Sequence, residues 1–144
     1  MRYKISVTDE QAGIIQEALE IYARLGIGQF RDALEEMPLK DQFDAGWHDD
    51  MHAIGSILKK HMKRNIDGWQ SSLGITSSDV SSDAQMAWDM YQVVRKKMAW
   101  KRAVENGIVK SETSERDWSK MMQVSYDDVM QVGPGPLAEI EDDG

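Results

Sequence analysis

Residues 81–107 read SSDAQMAWDMYQVVRKKMAWKRAVENG, and the periodicity of this stretch decides the fold. At about 100° of rotation per residue, Ala84, Ala87, Trp88, Val94 and Met98 fall within about 60° of Tyr91, which predicts a helix with a wide apolar stripe. Ser82 with Gln85 three residues on has capping-box spacing, and Asn106-Gly107 supplies a left-handed stop after about Glu105. A stripe this wide belongs to a central helix. Met86, Met90 and Val93 lie on the opposite side, at about −100° to −160° from Tyr91. A helix apolar on both faces is either enclosed or in contact with a partner. Two covers are open: a second copy, giving a homo-oligomer with Met90 near the contact, or C-terminal strands of the same chain.

Working toward the N-terminus, Asp44 to Arg64 carries Trp47, Met51, Ile54, Leu58 and His61/Met62 at 3–4 spacing, with acids in front and bases behind, as the helix macrodipole favours. Before it, QFRDALEEM predicts a short helix that stops ahead of Pro38, because a residue preceding proline is pushed out of the helical region. Thr8 and Gln11 form a capping box for a helix from about 9 to 25, which ends at Gly26 and Gly28. Tyr3, Ile5 and Val7 alternate with Lys4 and Ser6 and predict a short opening strand. NIDGWQSSLGITSSDVSS, residues 65–82, reads as a long ordered loop pinned by Trp69, Leu73 and Ile75, of a length often functional.

Beyond Gly107 the helical pattern stops. MMQVSY and DVMQV are strand-like, VGPGP cannot be regular, and EIEDDG is an acidic end. The expected architecture is mainly α with a small β component: a single-domain bundle of about four helices plus an N-terminal strand and short C-terminal strands. Residues 1–132 form the globular domain, and 133–144 a Gly/Pro-containing acidic tail.

Composition narrows the function classes. With 144 residues, 41% hydrophobic, the chain is long enough for one buried core. It contains no cysteine, which removes disulfides, thiolate metal sites and cysteine nucleophiles and suits a reducing, cytoplasmic setting. No 18 apolar residues run together, so no membrane association is expected. The net charge of −8 opposes nonspecific nucleic-acid binding. Against that acidic background stand two clusters without an acid: Lys59, Lys60, Lys63, Arg64, and Arg95, Lys96, Lys97, Lys101, Arg102.

WHDDMH, residues 47–52, places His48 and His52 four apart, the spacing by which the zinc peptidase motif H-E-x-x-H binds metal. With Met51 as zero, His48 falls near about +60° and His52 near about +100°, on the flank of the helix rather than its apolar side. His61 is the only other histidine, and Asp49 is one methylene shorter than the motif's Glu. The competing reading is a solvated helix start, and neither a metal nor a cofactor is expected. Trp100 stands off the main stripe among Arg95, Lys96, Lys97, Lys101 and Arg102, where an aromatic within cations could seat a nucleotide base and phosphate or a partner's acidic patch. The competing reading is a helix C-terminus dressed with cations. No Walker A, G-x-G-x-x-G or G-x-S-x-G sequence is present, so no enzyme is expected.

Residues 5–35, with Arg24, Gly26, Gly28, Gln29 and Phe30 in an R-x-G-x-G-Q-F turn, and residues 84–100, with Tyr91, Gln92, Val93 and Arg95, resemble small uncharacterised proteins encoded by tailed bacteriophages. The resemblance covers about a third of the chain and attaches no chemistry to either motif. It implies a non-catalytic phage accessory protein that acts by binding, countering a host defence or redirecting a host protein. Two alternatives follow from the residues: a small-anion binder that sequesters a signalling nucleotide around Trp100, and a metal-dependent hydrolase using His48 and His52.

Overall fold

The computed structural model describes residues 1–62 and 72–142. Lys63, Arg64 and Trp69, and the stretch of the 65–82 loop before Ser72, lie outside the described residues. Four α-helices are present among those described: α1 (Asp9–Gly26), α2 (Phe30–Glu35), α3 (Trp47–Lys59) and α4 (Ser82–Glu105). Short 3-10 turns lie at Lys40–Gln42, within the expected loop, and at Trp118–Lys120.

The capping box of α1 forms as its spacing predicts, with the Gln11 amide donating to Thr8 Oγ1 at 3.3 Å and the Thr8 amide donating to Gln11 Oε1 at 2.9 Å. Its C-terminus explains the R-x-G-x-G-Q-F sequence in structural terms. Gly28 takes φ 83°, the left-handed region that glycine enters without steric cost. That turn lets the Gln29 amide donate to the Arg24 carbonyl at 2.9 Å, while the Arg24 guanidinium donates to Gln29 Oε1 at 2.7 Å. Gly26 serves packing instead. A Cβ built on it would lie 2.3 Å from the Ala84 Cβ, so α1 reaches the start of α4 only because the hydrogen is there.

α3 is shorter than its periodicity suggests. Asp44 Oδ1 accepts from the Gly46 amide at 2.9 Å and holds a turn ahead of the first helical residue, Trp47. α4 is capped by Ser81 and not by Ser82: the Ala84 amide donates to Ser81 Oγ at 3.2 Å. The shift frees Gln85, whose side-chain amide donates to the Ile75 carbonyl at 3.0 Å and ties the preceding loop to the helix. Leu73 and Ile75 pin that loop on Ile27, Val80 and Ala84 as expected, and the Leu73 amide donates to the Ile27 carbonyl at 2.9 Å.

α1 packs along α4, α2 packs on α1, and α3 packs on α2. Among the described residues, five of the thirteen buried apolar side chains are alanines, at 23, 33, 84, 87 and 103, so the helices touch through small side chains at close range. The second core group gathers Trp100 and Ala103 with Val124 and Tyr126 from the C-terminal segment, Trp100 and Tyr126 meeting edge to face at 5.3 Å.

The expected β component is absent: the described residues contain no strand. Tyr3, Ile5 and Val7 make no backbone ladder, and Tyr3 and Ile5 are 84% and 78% exposed. Residues 121–132 also lack a ladder, and three of their backbone groups are bonded instead to side chains of α4. Trp100 Nε1 donates to the Ser125 carbonyl at 3.0 Å, and Lys96 Nζ donates to the Asp127 carbonyl at 2.7 Å. The segment runs antiparallel to α4 and wraps it, filling part of the role that β pairing was expected to fill. Among the described residues no helix is long and apolar enough to cross a membrane.

The Gly26–Ala84 approach has a measurable consequence. Alanine is intrinsically better than glycine in a helix by about 0.5–1 kcal/mol, whereas overpacking costs about 1–3 kcal/mol. At 2.3 Å the steric cost wins. Gly26→Ala should lower stability by roughly 1–2 kcal/mol in urea titration, and adding Ala84→Gly should recover most of the loss; an unchanged midpoint in the single variant contradicts the close approach.

Candidate functional site

The C-terminal segment is fixed to α4 at one buried point. Asp89 is 5% exposed and its two carboxylate oxygens accept from the Val132 amide at 2.9 Å and the Gly133 amide at 2.7 Å. Gly133 itself lies flat on the helix: a Cβ there would sit 2.7 Å from the Met86 nitrogen and 2.9 Å from the Gln85 carbonyl carbon. Asp89 falls on the same side of α4 as Met86 and Val93, so the second apolar face is partly covered by the chain's own residues 132–133. Met86 and Met90 stay 37% and 43% exposed, and Val93 is half-buried.

Past Gly133 the chain turns through Pro134, Gly135 (φ 86°) and Pro136 and doubles back. Residues 136–142 then run beside residues 2–8, and together they border an apolar cleft of about 1280 Å³ whose floor is α1 and α4. Ile15 on α1 and Met90, Val94, Met98 and Val104 on α4 give it its apolar lining. The bordering segments are held by ion pairs: Arg2 to Glu139 at 3.0 Å, Lys4 to Glu141 at 2.9 Å, Lys97 to Asp142 at 2.9 Å and to Glu112 at 3.6 Å, and Lys101 to Asp9. Exposed pairs of this kind are weak and screened by salt.

The cationic cluster singled out in the sequence is therefore present, with Lys96, Lys97 and Lys101 already matched with partners. Trp100 is 2% exposed and its indole N–H is bonded, so it is a core side chain and not an open stacking surface; the ring left the main stripe of α4 because Val124 and Tyr126 pack on that side. The Arg95 guanidinium lies 6.0 Å from the Tyr91 ring centroid, Lys96 is bonded to the Asp127 carbonyl, Lys97 and Lys101 pair with acids as described, and Arg102 is exposed. The hydrogen bond to Asp142, reinforced by Glu112, raises the Lys97 ammonium above its ordinary range against the opposing effect of desolvation. The hydrogen bond to Asp9 raises Lys101 in the same way. Burial raises the Tyr91 hydroxyl, with Glu20 adding to it.

On α3, the His48 side chain is 71% exposed with Nδ1 3.5 Å from Glu35 Oε1, and His52 is exposed. Neither borders the cleft. Among the described residues no group of three His, Asp or Glu side chains is arranged to hold a metal ion. Glu35 is held below its usual range by its hydrogen bond from Arg31, with His48 contributing less.

Sequence reasoning missed Asp89, and the signal was present: an acid between Met86, Met90 and Val93 on an otherwise apolar face. A charge in that place calls for backbone donors to come to it. No protein-family model, curated protein or solved structure matches the chain.

Two outcomes follow. Asp89→Ala leaves two amides without their acceptor, and a buried donor stripped of its partner costs about 1–3 kcal/mol; thermal melting should show a loss of roughly that size, with Asp89→Asn retaining part of it. The lysine pairs give an alkaline dependence. Their folded-state values are raised, so their contribution is complete below the ordinary lysine value of 10.5 and is lost as pH rises through the raised values. A fluorophore on Ile140→Cys, in a chain with no other cysteine, should gain rotational freedom above about pH 10.5 while remaining restrained at pH 8; Tyr91, raised as well, loosens α1 against α4 in the same direction, so helical circular dichroism is read in parallel.

Proposed function

We propose that this protein acts by binding and not by catalysis, seating a segment of a partner protein in the cleft over α1 and α4. The observation that carries this reading is the cleft itself: about 1280 Å³, floored by apolar side chains and bordered by chain segments held through exposed ion pairs. Grooves that accept an amphipathic helix have an apolar floor of this kind. The resemblance to tailed-phage accessory proteins makes a host protein the expected partner, and a host defence component or a redirected host enzyme the expected class.

The small-anion reading has less support, because Lys96, Lys97 and Lys101 already face acceptors of the chain and Trp100 offers no open face. The hydrolase reading has less support: His48 and His52 lie on the exposed flank of α3, outside the cleft, and among the described residues no third His, Asp or Glu joins them in a metal-holding arrangement. Self-association through Met86, Met90 and Val93 is an occupancy that the same experiment detects.

A photo-crosslinking residue in place of Met90, in the cleft, and in place of Met122, 93% exposed and outside it, separates the outcomes. In lysate of the host cell, position 90 should give one stoichiometric protein adduct that position 122 does not, and Met90→Asp should reduce capture of that partner at least tenfold. Equal labelling from both positions overturns the reading, and an adduct of dimer mass assigns the cleft to a second copy.

A further inference from the structure

We infer that residues 136–142, PLAEIED, are an intramolecular occupant of the cleft mouth, and that the partner segment carries the same alternation of apolar and acidic side chains. The inference rests on the binding reading above and names the chemistry of what binds. The tail is attached very differently on the two sides of Gly133. Up to Gly133 it is fixed by the buried Asp89 carboxylate and by contact with the α4 backbone. Beyond Gly133, among the described residues, no backbone hydrogen bond joins 134–142 to either helix, and two prolines in 134–136 have no amide to donate.

The returning segment is held by its side chains. Glu139, Glu141 and Asp142 neutralise Arg2, Lys4 and Lys97, and these six side chains are between 24% and 74% exposed. Leu137 and Ala138 are half-buried and Ile140 is 39% exposed, so the segment spans the cleft without filling it. If it lifts, Arg2 and Lys4 lose their carboxylates and Lys97 keeps only the longer pair to Glu112, at the edge of an apolar floor. The occupant that complements this edge best carries acids toward Arg2, Lys4 and Lys97 and apolar side chains toward Ile15, Met90, Val94 and Met98. The chain's own tail displays that pattern, with Leu137 and Ile140 among Glu139, Glu141 and Asp142. Short tethers give effective concentrations in the millimolar range, so the attached tail outcompetes weak ligands and yields only to one with a better apolar fit.

The test uses the full chain and a labelled PLAEIED peptide as the probe. The triple substitution Glu139→Lys, Glu141→Lys, Asp142→Lys repels the tail from Arg2, Lys4 and Lys97. In fluorescence anisotropy this variant should bind the peptide at least tenfold more tightly than the native chain, and adding the neutral substitutions Arg2→Gln, Lys4→Gln and Lys97→Gln should remove most of the gain. Near-ultraviolet circular dichroism of the buried Trp100 verifies the fold of each variant. Absence of binding by a folded triple variant, or equal binding by variant and native chain, overturns the inference. Should the triple variant not fold, spin labels at Ala18→Cys and Ile140→Cys in the otherwise native chain provide the second measurement. Their distance distribution should be narrow at low salt and broaden at high salt, where ion pairs are screened; an unchanged distribution overturns the inference. If the peptide fails but crosslinking from Met90 still captures a partner, the binding reading stands without the tail; if both fail, the cleft is not a binding site.

Discussion

The Asp89 carboxylate, buried and bonded to the Val132 and Gly133 amides, is the contact on which the rest of this structure depends. A buried carboxylate without donors is costly, and backbone amides without acceptors are costly too, so each makes the other tolerable. The pairing presses Gly133 onto the backbone of α4 at a distance no side chain would allow. From that point the chain direction is set. Residues before it lie antiparallel along α4 and bury Val124 and Tyr126 against Trp100, while residues after it turn back over the cleft.

The helical part holds together by close approach more than by bulk. Alanines at 23, 84 and 87 and glycine at 26 let α1 and α4 lie near each other, leaving large apolar side chains on the outside. Ile14, Tyr22 and Leu25 on α1 and Ile54, Ile57 and Leu58 on α3 are all at least 40% exposed.

Electrostatics sort along the same line. The net charge is −8, yet the second half of α4 is cationic, and the fold brings acids from the N-terminus, from residue 112 and from the tail to meet it. The cluster holds the termini in place before it can do anything else. Lys97 and Lys101 face carboxylates of the chain itself and Lys96 a backbone carbonyl, so much of the cluster's charge is used inside the fold.

Local pattern determined the helices, because the signals for them are contained within a few residues. The Thr8–Gln11 box, the Gly28 turn, the halt before Pro38 and the stripe of α4 were legible in the sequence, as were the pinning residues Leu73 and Ile75. The cap of α4 falls on Ser81, one residue ahead of the expected Ser82, since the two offer the same hydroxyl and only the tertiary use of Gln85 distinguishes them. The expected strands did not form because alternation describes a segment's faces but not its partner, and the groups that met residues 121–133 were side chains of α4. Trp100 and its neighbouring cations could be found in the sequence as a cluster. Whether the ring faced solvent or the core depended on Val124 and Tyr126, more than twenty residues away, and the cleft, assembled from both ends of the chain, exists only once those ends have met.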